Sequence, residues 1–513
     1  MLSVFDQGPP PACPAPFNLA AHVLARAEDA PDKVALAVVG LSGAERWSYG
    51  RLKAAVMGTA GGLHMAGFVP GDILLMRLGN TVDFPIAYLG AIAAGMVPVP
   101  TSSQLTEREV AKMAADLKPA GVLRGEGIAC PDLPGVATVS QASLAEYRSL
   151  PGVPFDMGDP ERMAYIVYTS GTSGNARAVA HAHRAIWARR MMHEGWYGLT
   201  AEDRLMHAGA FNWTYTLGTG LMDPWSVGAT ALIPAQGVGP EALPLLMKRH
   251  EATIFAAAPG VYRKILSQNA KLDLPRLRHG LTAGEKVSDA IRAEWKNAAG
   301  TELYEAFGMS ECSTFISGCP ARQSAPGALG APQVGRRVAL LGEDGPVPLG
   351  ETGVIAISRR DPGLMLGYLN AEAETQARMQ GDWFLTGDLG TMTEDGQITY
   401  QGRADDMMNA GGYRVSPIEV EGALSGIPGV TEIGVTDVEV KADARLIIGF
   451  YTGPQPLDPA ILSGIAAERL ARYKQPRDFV HVAELPRNPN GKLQRKALAP
   501  LWHARQKDTH GQT

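Results

Sequence analysis

The sequence predicts an α/β protein in two unequal parts, a large N-terminal one rich in parallel sheet and a small α+β one at the C-terminal end. Three observations predict it. A chain of 513 residues is too long for a single hydrophobic core. From residue 163 onward, apolar runs of strand length alternate with helix-length stretches, the pattern of strands joined by crossover helices. After residue 402 that alternation gives way to a tail of mixed helices and strands, about 110 residues long, enough for a small independent domain.

The elements follow in order. Within residues 18–125 a strand is expected at 72–78 and an apolar helix at 84–94 beneath it. The longest apolar run, 84–100, is interrupted by Pro85, Gly90, Gly95 and Pro98. It reads as a buried helix entering a strand rather than as a membrane span. A Pro/Gly-rich connection at 151–160 precedes a strand at 163–168, a Gly/Ser/Thr loop and a helix at 182–194. Strand 229–234, helix 241–250, strand 253–257, helix 261–269, strand 280–283, helix 289–297 and strand 302–306 continue the series. Ligands in such sheets gather at the carboxyl ends of the strands. Residues 350–402 read as short strands with turns such as Glu394-Asp395-Gly396. The tail, residues 403–513, carries a helix at 459–473 and a strand at 478–483.

Composition narrows the class. The chain is 45% hydrophobic and 19% charged, with net charge −5 and mean hydropathy −0.05. That balance predicts no nucleic-acid and no membrane partner. Cys13, Cys130, Cys312 and Cys319 form no CxxC pair, so reduced thiols and a cytoplasmic setting are expected. The first residues, MLSVFDQGPPPACPAP, show neither a basic segment nor an apolar one of signal-peptide type.

Tyr168-Thr-Ser-Gly-Thr-Ser-Gly-Asn-Ala-Arg177 follows a predicted strand. Its glycines allow tight turns, and the hydroxyls of Thr169, Ser170, Thr172 and Ser173 can donate to phosphate oxygens. Backbone N–H groups around Gly171 and Gly174 add an anion nest, and Arg177 adds charge. The GxxxxGK[ST] pattern is absent. Alone, such a loop is as readily a surface connection. Downstream, however, come Thr282-Ala-Gly-Glu285, Tyr304-Glu-Ala-Phe-Gly-Met-Ser-Glu311, Trp383-Phe-Leu-Thr-Gly-Asp388, Gly402-Arg-Ala-Asp-Asp406 with Asn409-Ala-Gly-Gly-Tyr-Arg414, and Pro486-Arg-Asn-Pro-Asn-Gly-Lys492. In this order the set resembles the adenylate-forming superfamily of acyl-CoA synthetases, peptide-synthetase adenylation domains and luciferases, over residues 18–498. Its text is most similar to the benzoate–CoA and medium-chain ligase branches.

The resemblance implies a large N-terminal adenylation domain, 1–402, and a small mobile C-terminal domain, 403–513, hinged near Asp405. It also implies ATP, Mg²⁺ and CoA as reactants and cofactor. A carboxylate is a poor electrophile, and its attack on the α-phosphorus of ATP brings anion to polyanion, so cations must neutralise the transition state. By resemblance, Glu311 is the Mg²⁺-linked carboxylate and Ser310 meets phosphate. Phe307 lies against adenine, with Gly284, Glu285, Glu305, Ala306 and Gly308 around the nucleotide. Asp388 accepts from the ribose hydroxyls, as an acceptor-only carboxylate can, and Arg403 approaches ribose and phosphate. Lys492, on a Pro/Asn/Gly turn, is the catalytic cation. Gly411 and Gly412 face the thiol arm of CoA in a second pose.

One departure stands out. Where the family's phosphate loop continues Pro-Lys-Gly, this chain reads Ala176-Arg177-Ala178, exchanging a point charge for a planar fork and stiffening the loop. The acyl pocket falls on Phe211-Asn-Trp-Thr-Tyr-Thr-Leu-Gly218. There Trp213, Thr214, Tyr215 and Leu217, with Met309, offer apolar walls and no counter-charge for an amino group. A neutral-tailed acid, aromatic or short-to-medium aliphatic, fits that segment. No carrier-protein motif follows residue 498, which favours free CoA as acceptor. A stand-alone enzyme loading a separate carrier protein, and an inactive nucleotide-binding module, are the alternatives. A protein-kinase reading lacks its HRD and DFG signatures. The oligomeric state is left open, a homodimer being compatible.

Overall fold

A computed structural model of the chain describes residues 1–169, 177–404, 406–410, 413–441, 444–487 and 491–510. The large part is organised round one long bent sheet. Its central strands, Val34–Val39, Thr230–Pro234, Arg204–His207, Ile254–Ala256, His279–Ala283 and Glu302–Met309, run parallel in that spatial order. Helices Leu243–Arg249, Pro259–Leu266 and Asp289–Ala299 carry the chain back. They bury Leu246, Ile265 and Trp295 with Phe255 and Tyr262 in one core. Helix Asp289–Ala299 begins where the Ser288 hydroxyl accepts the Ile291 N–H at 3.3 Å and ends at Gly300, whose φ is 71°. Those are the chemical signals for starting and stopping a helix.

Past Glu302–Met309 the sheet turns antiparallel, through Ser313–Ser317 and Ala328–Pro332 to Ile398–Arg403, Trp383–Met392 and Gly353–Ser358. A second sheet holds the parallel strands Val97–Pro100, Ile73–Arg77, Gly121–Arg124 and Ala137–Ser140. Helix Asp83–Ala93 is buried along its whole length, as expected of an apolar run that serves as core. No described helix is long and apolar enough to cross a membrane.

Two expectations are corrected. Residues 177–182 form a strand, Arg177–Ala182, that pairs antiparallel with Met163–Thr169, so the phosphate loop joins the arms of a hairpin instead of leading into a helix. Its Ala-rich text, Arg-Ala-Val-Ala-His-Ala, carries little strand propensity. Pairing on both edges, to Met163–Thr169 and to Gly367–Tyr368, overrides that. The helix expected at 182–194 is broken into Arg184–Ala188, Arg190–Met192 and a π-turn at His193–Tyr197.

The tail is a separate body with its own core. Glu432–Lys441, Ala444–Thr452 and Asp478–His481 make a three-stranded sheet. Helices Pro417–Ala423 and Pro459–Arg469 cover it, enclosing Val435, Ile447, Tyr451, Leu462 and Phe479. It rests on the large part through polar contacts: Ser416 Oγ donates to the Gln401 carbonyl, and Arg263 pairs with Glu432.

Candidate active site

The predicted residues fall on several strands and loops of the large body and on one loop of the tail, and the phosphate side is built first. Thr169 and Arg177 face each other at the ends of the hairpin arms. Ser170, Gly171, Thr172, Ser173, Gly174 and Ala176 lie outside the described residues. Arg177 is not the open phosphate charge the sequence suggested. Its guanidinium pairs with Glu374 at 2.7 Å and lies over the Tyr368 ring, 5.1 Å from the centroid. Tyr368 in turn donates its hydroxyl to Glu311 Oε1 at 2.7 Å.

Ser310 and Glu311 form the turn between strands Glu302–Met309 and Ser313–Ser317. Gly308 is required there, because a Cβ would stand 2.1 Å from the Ser313 carbonyl oxygen. The turn is pinned from two sides. Met365 N–H donates to the Glu311 carbonyl at 2.7 Å, and His181 Nε2 donates to the Ser310 carbonyl at 2.7 Å. His181 is buried and stacked on Tyr165. Burial lowers its pKa to about 4, so the ring is neutral near pH 7 with its proton on Nε2. Glu311 itself is 7% exposed. Among the described residues no group of three or more His, Cys, Asp or Glu could hold a metal ion. A lone acceptor-only carboxylate suits a hard cation that arrives with oxygen ligands of its own.

On the nucleoside side, Asp388 lies opposite Arg403 in the strand register, with Oδ2 3.6 Å from the guanidinium. Tyr400 Oη donates to Asp388 Oδ1 at 3.0 Å. Burial raises the Asp388 pKa, and Arg403, Tyr400, Lys492 and Arg378 oppose that rise. The Phe307 ring stands against Tyr400, centroids 5.8 Å apart, so the candidate adenine face and the candidate ribose carboxylate share a neighbour. Gly284 has φ +95° with nothing within 4 Å of where a Cβ would sit. That open backbone could lie close to a flat ligand. Glu285 beside it is 3.7 Å from Arg487.

Glu305 and Ala306 both have buried side chains. Glu305 is 2% exposed, accepts the Val287 N–H at 3.1 Å and pairs with Arg292. Burial lifts its pKa to about 7. Ala306 packs with Trp196 and Leu281 in an inner core. Strand Glu302–Met309 is packed on both faces, which buries both side chains.

Lys492 comes from the other body. It is exposed, on a loop closed by the Arg487↔Leu493 bridge and by Gln494 N–H donating to the Pro486 carbonyl at 2.8 Å. Its charge lowers the pKa values of both Asp388 and Glu285. Arg487 at the base of the same loop stands 3.7 Å from Glu285 of the large body. Asp405, Gly411 and Gly412 lie outside the described residues.

The acyl side is only partly as expected. Trp213 and Tyr215 meet at 5.1 Å and 87°, forming an aromatic corner. Thr214 faces solvent, and Leu217 is packed into the core with Phe211 and Trp225. Met309 is half-buried near Phe315. Sequence reasoning missed His207, wedged edge-on against both aromatic rings, with Nδ1 accepting the Gly209 N–H at 2.9 Å. It also missed a buried ion pair below this wall. Arg189 donates to both Asp223 oxygens at 2.8 and 2.6 Å, and Tyr197 donates to Asp223 at 2.7 Å. The acyl segment thus runs into a buried carboxylate, already neutralised by its arginine. An Asp within the apolar run 217–227 is the signal that could have found it.

Comparison with known proteins gives concordant results. The AMP-binding enzyme family matches residues 23–369, and the AMP-binding enzyme C-terminal domain matches residues 419–492. The chain is 29% identical over 497 residues to a 3-hydroxybenzoate–CoA ligase of Aromatoleum sp. (strain CIB), covering 91% of this chain and 94% of that one. It is 26% identical to the mitochondrial acyl-coenzyme A synthetase ACSM3 of Pongo abelii, covering 94% and 89%. The fold is shared with an anthranilate CoA ligase, AuaEII, crystallised with anthranoyl-AMP. There the TM-score is 0.86 at 24% identity, over 96% of this chain and 99% of that one.

Proposed function

The chain belongs to the AMP-binding enzyme family, as an AMP-forming acyl-CoA ligase, and on that premise we propose a substrate class and a set of working residues. It activates a neutral-tailed carboxylic acid, aromatic or short-to-medium aliphatic, as the acyl-adenylate with loss of pyrophosphate, then transfers the acyl group to CoA in the cytoplasm. The observation that supports the reading is that the buried Asp388 carboxylate lies beside Arg403 and feels the charge of Lys492, which the small body supplies.

Each residue's part follows from its chemistry. The substrate carboxylate approaches the α-phosphorus beside Lys492, whose ammonium lowers the charge repulsion between the two anions. Asp388 accepts from the ribose hydroxyls, Phe307 and the Gly284 backbone flank adenine, and Arg403 holds Asp388 in place. Glu311 would hold Mg²⁺, and that ion, bound to the ATP phosphates, would neutralise charge developing on the leaving pyrophosphate. Trp213 and Tyr215 wall the acyl tail. Residues 403–513 then swing about a hinge near Asp405, withdraw Lys492 and present Gly411 and Gly412 to the thiol arm of CoA.

The test is release of AMP and pyrophosphate with ATP, Mg²⁺ and CoA across aromatic and short-to-medium aliphatic acids. CoA-dependent AMP from one such acid supports the reading. AMP that appears only when a phosphopantetheinylated carrier protein is added would overturn the CoA assignment. ATP binding without AMP from any acid would overturn the activity.

A further inference from the structure

The loop that carries Lys492 is tied to the large body by a charged cluster that the mechanism above does not use. Arg487, five residues before Lys492 in sequence, donates Nη1 to the Gly491 carbonyl at 2.5 Å and Nη2 to Glu432 Oε1 at 2.9 Å. Its guanidinium also stands 3.7 Å from Glu285 Oε1. Glu432 opens the first strand of the small sheet, and on its other side it pairs with Arg263 of helix Pro259–Leu266. Arg263, Arg487 and Lys492 all lower the pKa of Glu285, whereas Glu432 raises it. Five charged groups thus share one small volume across the cleft.

These contacts divide into two kinds. Arg487–Gly491 and Arg487–Glu432 lie within the small body and travel with it. Arg263–Glu432 and Arg487–Glu285 cross between bodies, so a swing of the small body would break them. The guanidinium fork fits the first role, since one planar group can shape the turn next to Lys492 and reach two carboxylates. Side-chain exposures of 20–39% for Arg263, Glu432 and Arg487 mean that each pair alone contributes little. A carboxylate shared between two arginines is a network, and a network can bias two poses of similar free energy.

We infer that Arg487 is a positioning residue for the adenylation step: with Glu432 it forms a prebuilt plug that docks on Arg263 and Glu285 and so sets the pose in which Lys492 reaches the α-phosphate. This rests on the assignment of Lys492 above. Breaking the plug shifts the population toward the other pose, so the two half-reactions respond in opposite senses.

The experiment compares Arg487→Gln, Arg487→Lys, Glu432→Gln, Arg263→Gln and Arg263→Glu, with Lys492→Ala as control. Two rates are read for each: acid-dependent ATP–pyrophosphate exchange, and thioester formation from supplied acyl-adenylate and CoA. Arg487→Gln and Glu432→Gln are expected to slow exchange about tenfold while thioester formation is held or raised. Arg487→Lys should recover part of the loss. Arg263→Glu should exceed Arg263→Gln, because it sets two carboxylates against each other. Added salt should slow exchange in the unaltered enzyme and have little effect in Glu432→Gln. Equal loss in both half-reactions, or no change in their ratio, overturns the plug. If Lys492→Ala still exchanges pyrophosphate at the unaltered rate, the underlying assignment has failed. If Lys492→Ala is dead and the others leave the ratio unmoved, only the plug has failed. Should Arg487→Gln not fold, Glu432→Gln and the Arg263 pair carry the test alone.

Discussion

The two charges proposed to flank the reacting phosphates are held in opposite ways. Glu311 sits in a strand–strand turn of the large body, 7% exposed, with Tyr368 on its carboxylate and backbone bonds on each side. Lys492 sits exposed on a loop of the small body, and other charged side chains tie that loop down. A buried carboxylate must be fixed and satisfied, because an orphaned one is costly. An exposed ammonium can be delivered and withdrawn without that penalty. Under the proposed two-pose mechanism this difference divides the site into a permanent half and a visiting half, and mutations should sort by which half they touch.

The largest effect should come from the visiting half. Lys492→Ala is expected to lower acyl-adenylate formation about 10²–10³-fold, the scale for losing one charge-stabilising group. Thioester formation from supplied adenylate should survive. Equal loss in both steps would erase the distinction between the halves.

The permanent half comes next. Asp388→Ala should lower kcat/KM for ATP about ten- to a hundredfold, the cost of losing charge-assisted hydrogen bonds. It should weaken a bound acyl-adenylate analogue as well, because Asp388 does not leave. A loss confined to the first half-reaction would place Asp388 with Lys492 instead. Tyr368→Phe removes one hydrogen bond from Glu311 and should cost about three- to tenfold in adenylation, with a raised Mg²⁺ requirement. An unchanged Mg²⁺ requirement would separate Tyr368 from any metal role.

The last effect is read on stability instead of rate, and leaves activity near pH 7 least changed. Burial lowers the His207 pKa to about 3 and the His181 pKa to about 4, from 6.5. In the unfolded chain both protonate as the pH falls below 6.5, while in the fold they stay neutral. Stability present above 6.5 is therefore lost as the pH drops toward those folded values. In urea melts, His207→Phe should lose about 2 kcal/mol less than the unaltered protein between about pH 7 and about pH 5. An equal loss would show that His207 is not an acid-labile point.

The same division governs what was legible in the sequence. The parallel strands and helices between 229 and 306 could be read because apolar strands, capping residues and Gly stops agree there, as at Ser288 and Gly300. Strand Arg204–His207 escaped because Arg-Leu-Met-His is short and shows no alternation. The hairpin arm Arg177–Ala182 escaped because its three alanines signal no strand until two neighbours pair with it. At the site, the motif residues were legible one by one, but what holds them was not. Tyr368 reaches Glu311 across 57 residues and His181 reaches Ser310 across 129, separations at which no local pattern exists. Glu305 and Ala306 share a motif with Glu311, yet they stand on opposite faces of a strand that is covered on both sides, so both side chains are buried. The Arg189–Asp223 pair left one trace, an aspartate in an apolar run, and its arginine 34 residues upstream left none.

The most direct test of the account uses the acid labelled with oxygen-18 in both carboxylate oxygens. Attack of that carboxylate on the α-phosphorus, followed by thioester formation, must leave one labelled oxygen in AMP and one in the acyl-CoA. The account predicts labelled AMP and unlabelled pyrophosphate by mass spectrometry. Label in inorganic phosphate, with ADP as the nucleotide product, would mean an acyl-phosphate route and would contradict it.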